Sequence, residues 1–161
     1  QHPGLSGCEE YAHNLVVDVL SKLSPDRLVT HVGGYGVLAF WGDATKPCVA
    51  FRADIDALPI VEDDTLPYAS EVRGVSHKCG HDGHTAILLR LASLLVQHGV
   101  RQVLLLFQPA EETGFGSKAV LDSGELDDFD IRAFYALHNL PGYPMGQVVL
   151  SRRTFAAAST K

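Results

Sequence analysis

The stretch SHKCGHDGHTA places Cys79, His81, Asp82 and His84 within six positions, with His77 two residues upstream of the cysteine. A thiolate and a neutral imidazole two positions apart are good ligands for zinc-like divalent metals. Gly80 between them lets the backbone bend so that both heads face one ion. A buried cysteine beside surface histidines is the plainer reading of the same residues. His84 could cap or stabilise the start of the helix that follows, and His77 is expected to face solvent.

A second group sits in QPAEETG, where Glu111 and Glu112 are adjacent after an apolar run. Neighbouring carboxylates repel and lose hydration unless something positive compensates, and a divalent metal would do so. Such a pair also permits a division of labour. One glutamate binds metal while its neighbour handles the proton of an attacking water. The residues alone leave either glutamate in either role, and an exposed acidic loop is the alternative. His138 follows an apolar run in ALHN, as a further ligand or a structural histidine. Asp54 and Asp56 in RADIDALP fall on one side of an extended segment, because strand side chains alternate. There they either orient a ligand histidine or shape the turn before Pro59.

These residues need elements to bring them together. CEEYAHNLVVDVLSKL carries Tyr11, Leu15, Val16, Val19, Leu20 and Leu23 at helical spacing and stops before Pro25. LVTHV and YGVLAFW read as two strands around a glycine turn, and CVAFRA as a third. TAILLRLASLLVQHG is apolar nearly all round and predicts a buried helix closed by Gly99. QVLLLF, AFYALH and GQVVLSR read as interior strands, and GSKAVLDSG as a short helix. A hairpin followed by β–α–β–α–β predicts an α/β fold with helices on the sheet faces. Asp54, Asp56, Glu111, Glu112 and His138 then lie at the carboxyl ends of strands, where such sheets place their sites.

The 161 residues suffice for one domain with a proper core. Apolar residues are 46% and charged residues 20%, which favours a soluble globular chain. A formal charge of −6 without a basic cluster argues against nonspecific nucleic-acid binding. No apolar run reaches the roughly 20 residues that span a bilayer, and no signal-peptide pattern opens the sequence. Cys8, Cys48 and Cys79 cannot all pair, which predicts a reducing, cytoplasmic setting. No internal repeat or interdomain linker interrupts the chain.

Taken in order, FRADIDALPI, LPYAS, HKCGHDGHTA, LLFQPAEETGFGSKAV and ALHNLPGYPMGQV resemble the metal-dependent amidohydrolases that include hippurate hydrolases, N-acyl-amino-acid amidohydrolases and auxin-conjugate hydrolases. These are relatives of zinc aminoacylases and carboxypeptidases. HPGLSGCEE also looks like the opening of that family. The resemblance implies a mixed, largely parallel sheet flanked by helices, of the zinc-exopeptidase kind. It implies Cys79, His81, Glu112 and His138 as metal ligands and Glu111 as general base. It further implies two divalent transition metals per complete site (zinc, manganese, nickel or cobalt). The four ligands named here are few for two metals. The implied substrate is a small N-acyl amino acid or peptide-like conjugate, with no nucleic acid and no membrane involved; a homo-oligomeric parent is compatible.

Family members are longer and carry an inserted lid or dimerisation domain and a further histidine ligand. By that measure residues 1–161 are part of a catalytic domain, as a fragment or a natural truncation. The expected consequences are an exposed apolar sheet edge and little or no amide hydrolysis by this chain alone. One alternative function is a non-catalytic metal-binding or interaction module derived from the same fold. Another is a thiol enzyme with Cys79 as nucleophile and His81 as base, which leaves the paired glutamates and His138 without a task.

Overall fold

The computed structural model describes residues 1–63 and 65–150. Its elements run α1 (Glu10–Lys22), β1 (Arg27–Val32), β2 (Gly36–Trp41), β3 (Cys48–Asp54), α2 (His81–Gln97), β4 (Val103–Gln108), α3 (Gly116–Asp122) and β5 (Ile131–Ala136). The strands form one sheet in the order β1-β2-β4-β3-β5. β1 and β2 pair as an antiparallel hairpin, and β2 pairs antiparallel with β4. β3 pairs parallel with both β4 and β5. Only β2 opposes the common strand direction, so the sheet is mixed and largely parallel, as expected.

Each face of the sheet has its own core. Val16 and Leu20 of α1 and Leu88 and Ala92 of α2 pack on Val37, Ala39, Ala53, Leu105 and Phe107. On the opposite face, Val120 of α3 and Phe129 cover Leu38, Phe40, Ala50, Leu104 and Leu106. β2 and β4 are buried along their whole length, which is why their sequences are continuous apolar runs.

The connections fix where a site can form. β3 leads through α2 on one face to β4, and β4 leads through α3 on the other face to β5. The two connections therefore part company between the carboxyl ends of β3 and β4, which opens a crevice there. Asp54 lies opposite Gln108 in the register, so the two strands end level with each other.

Four expectations need correction. Tyr11 and Leu15 of α1 are exposed, and the buried stripe is His13, Val16 and Leu20. α2 starts four residues earlier than expected, at His81, and is not buried all round. It buries His81, His84, Thr85, Leu88 and Ala92, at helical spacing, while Ile87 is exposed. Among the described residues β5 is an edge strand rather than an interior one, and its Phe134 and Tyr135 are exposed. The strand expected over GQVVLSR is absent among the described residues, through residue 150, where Val148 and Leu150 are exposed. Ser151 and Arg152 lie outside the described residues.

Candidate metal centre

The site is built from the ends inward. β3 delivers Asp54 and Asp56 into the crevice on one side, while Ile55 between them turns into the core. Both aspartates are buried, and each holds a histidine of α2. His84 Nδ1 lies 2.7 Å from Asp54 Oδ1. His81 Nδ1 lies 3.0 Å from the Asp56 carbonyl and 3.2 Å from Asp56 Oδ1. Both partners of His81 Nδ1 are acceptors, so this nitrogen carries the proton and donates. Nε2 is left with its lone pair, which is the form that binds a metal.

The helix can present two histidines in this way because His81 and His84 are three residues apart and share its buried face. Gly80 precedes them with φ +88°, and a Cβ there would strike the side chain of Asn139. Glycine is required at this bend.

His81 Nε2 is buried and has no hydrogen-bond partner, and the same is true of Glu112 Oε1. The two atoms are 3.7 Å apart, with Glu111 Oε2 at 3.9 Å from the same nitrogen. Cys79 Sγ lies 3.4 Å from His138 Nε2. His138 Nδ1 donates to the Asn139 carbonyl at 2.8 Å, so His138 also turns a lone pair toward the thiol. The donor atoms of Cys79, His81 and His138 lie within 4.8 Å of one another, as do those of His81, Glu111 and Glu112. Asp54, His81 and His84 form a third such group, so His81 is common to all three. All five residues expected from the sequence meet around one imidazole.

The electrostatics follow from this crowding. Burial would raise Asp56, yet hydrogen bonds from His81, the Glu112 amide and Ser6 outweigh it and hold the carboxyl down to about 2. Burial likewise opposes ionisation of Asp54, and its bond to His84 and the charge of Arg52, 2.8 Å away, bring it below the ordinary value. Burial alone would lower His81, but Asp56, Asp54 and Glu112 raise it. Cys79 is pushed up to about 11 by burial and by the negative charge of Glu112 and Glu111. The metal-free thiol is therefore neutral, and a divalent cation would reverse that balance. Two buried donor atoms without partners, soft sulfur, two imidazole lone pairs and carboxylates in excess make a set that fits a divalent transition metal.

His77 departs from expectation: it is half-buried, and burial lowers its pKa. His84 does not serve merely as a helix-start residue but bonds Asp54. Ser6, Glu9 and Asn139 give no local signal of their place at the site. Ser6 Oγ donates to Asp56 Oδ2 at 2.7 Å across 50 residues of chain. Glu9 accepts the Ala110 amide at 2.8 Å across 101 residues. Only the opening segment HPGLSGCEE, as a unit, hinted that this region matters.

Residues 50–152 match Peptidase family M20/M25/M40, and the chain belongs to that family of hydrolases. Over 120 residues it is 48% identical to an N-acetyl-L-cysteine deacetylase of Bacillus subtilis, covering 73% of this chain and 28% of that protein. It is 37% identical over 148 residues to an N-acetyldiaminopimelate deacetylase of Brevibacillus brevis, covering 91% of this chain and 39% of that protein. A crystal structure of a Bacillus subtilis dinuclear metal binding peptidase from the M20 family superposes with a TM-score of 0.80 at 38% identity. That match covers 89% of this chain and 40% of the other. The chain thus spans well under half the length of these relatives. Among its described residues no helix is long and apolar enough to cross a membrane.

Proposed function

We propose that this chain forms the metal-binding part of the catalytic domain of an amidohydrolase that cleaves the amide bond of small N-acyl amino acids or related peptide-like conjugates. The observation that carries the reading is the convergence of Cys79, His81, Glu112 and His138, with the two unpartnered atoms of His81 and Glu112 facing each other. The names of the relatives, two of them deacetylases of N-acetylated amino acids and one a dinuclear peptidase, support the substrate class and a site for two metals.

Cys79, His81, Glu112 and His138 would hold the metals. When bound, divalent metal supplies Lewis acidity and makes a water nucleophilic at neutral pH. The chain's own residues carry the proton. Glu111 is less buried than Glu112 and stands beside His81, within reach of a substrate in the crevice. In this reading its carboxylate accepts a proton from the attacking water. The water oxygen bonds to the acyl carbon, the C–N bond breaks, and Glu111 passes the proton to the leaving amine, giving a carboxylate and an amine. Asp56 keeps His81 in its donor-ready form, and Asp54 fixes the orientation of His84.

The test combines metal content and turnover. Elemental mass spectrometry on the protein and on Cys79→Ser should give near-stoichiometric transition metal that is lost on substitution. Glu111→Gln should retain metal, while whatever amine release from N-acetyl amino acids the unaltered protein gives should fall by roughly 100-fold or more. Metal binding that does not depend on Cys79, or turnover that survives Glu111→Gln, overturns the assignment.

A further inference from the structure

Glu9 is fully buried, and it sits where a helix usually finds its capping residue, directly before α1. A carboxylate there would ordinarily accept an amide of the first helical turn. Glu9 makes no such bond. One of its oxygens instead accepts the Ala110 amide at 2.8 Å, and the other is buried without a partner. A half-paired buried carboxylate is a poor stabiliser of a fold. Its distinguishing contact is with the loop that carries the two glutamates.

That loop begins in an unusual conformation. Ala110 has φ +50°, in the left-handed region that residues other than glycine rarely adopt. The turn closes on itself through Gly114 N to the Glu111 carbonyl at 2.8 Å and Gly116 N to the Ala110 carbonyl at 3.0 Å. Two carboxylates tie it to the rest of the protein. Glu9 holds the amide of Ala110, and Asp56 accepts the amide of Glu112 at 3.0 Å. Glu111 lies between these two fixed amides. The segment that supplies Glu9 is itself docked: Ala57 N donates to the Gly4 carbonyl at 2.8 Å, and Ser6 bonds Asp56.

We infer that Glu9 is a positioning residue: by accepting the Ala110 amide it holds the left-handed turn that aims Glu111 and Glu112 at His81. The inference rests on the proposed metal site for one of its two readouts, and the other is independent of it. Hydrogen exchange at the Ala110 amide measures the clamp directly. Calorimetric titration of the metal-free protein with zinc alone measures what the clamp does.

In Glu9→Ala, exchange at Ala110 should accelerate and zinc affinity should fall roughly 10- to 100-fold, as for other residues that orient metal ligands. Glu9→Gln still offers an oxygen to the same amide and should restore both. Glu9→Asp keeps the charge but is one methylene too short, and should behave like Glu9→Ala; it serves as the second variant if the alanine protein does not fold. Zinc affinity at the wild-type level in Glu9→Asp or Glu9→Ala, with only thermal stability reduced, overturns the inference. Failure of Glu9→Gln to restore affinity also overturns it. Should the unaltered protein bind no zinc, the metal-site reading fails, and unchanged Ala110 exchange in Glu9→Asp would then sink the clamp as well.

Discussion

His84 joins Asp54 to Asn139. Its Nδ1 lies 2.7 Å from Asp54 Oδ1, and its Nε2 accepts the Asn139 amide at 2.9 Å. The Asp54 carboxylate only accepts, so Nδ1 carries the proton and donates to it, while Nε2 also lies 2.9 Å from Asn139 Oδ1. One imidazole thereby connects the end of β3, the buried face of α2 and the segment that bears His138.

His84→Ala should therefore act at a distance on His138. The substitution leaves Asp54 and the Asn139 amide each short of a partner, at a cost of about 1–3 kcal/mol in stability. With His138 no longer tethered through Asn139, metal affinity should drop about tenfold or more. Thermal unfolding and zinc titration on the same protein check both parts. Unchanged zinc affinity alongside lost stability would confine His84 to a structural role.

Asp56 and His81 set the pH window of the metal-free fold. The Asp56 carboxyl is lowered to about 2, so its contribution is present above its unfolded value near 4 and is lost as pH falls toward 2. His81 is raised, so its contribution is present below its unfolded value near 6.5 and is lost as pH climbs through the folded one. The two describe one interaction and count once, on the order of 2 kcal/mol. Thermal denaturation of the metal-free protein should show greatest benefit from this pair between about pH 4 and 6.5. Asp56→Asn should flatten the acid side of that profile, and an unchanged acid limb would contradict the assignment.

The thiol of Cys79 gives a further test, one that separates metal ligand from nucleophile. Raised to about 11 by burial and the nearby glutamates, it is almost wholly protonated at neutral pH in the absence of metal. The imidazole it hydrogen-bonds is His138, at 3.4 Å, not the His81 that a Cys-x-His dyad would use. Iodoacetamide should therefore modify exposed Cys8 well before Cys79 in chelated protein at pH 7.5. Peptide mapping by mass spectrometry reads the order, and preferential labelling of Cys79 would favour a thiol enzyme.

Local periodicity carried the sequence reading a long way. The hairpin, β3, β4 and α3 are visible because their apolar patterns are short and well punctuated. The start of α2 is not, since Asp82 and Gly83 read as loop residues while they occupy its exposed first turn. The edge position of β5 is equally hidden, because apolar content does not say which neighbours a strand finds. The metal-ligand candidates are legible by residue type and place: the paired glutamates and His138 follow strands, and Cys79 and His81 crowd the start of α2. The residues that hold them are ordinary in type. Ser6, Glu9 and Asn139 reveal their function only through partners 50 to 101 residues away.

The parallel pairing of β3 with β4 and β5 has a kinetic consequence. Parallel neighbours need long crossovers, so their contacts close late and at high loop entropy. Cys79 and His81 arrive with α2, but Glu112 and His138 come into range only when β4 and β5 have both docked on β3. Capture of the ion therefore marks the end of sheet assembly rather than its beginning, and a nascent chain paused before β5 would present a thiol and an imidazole with half their partners still unfolded.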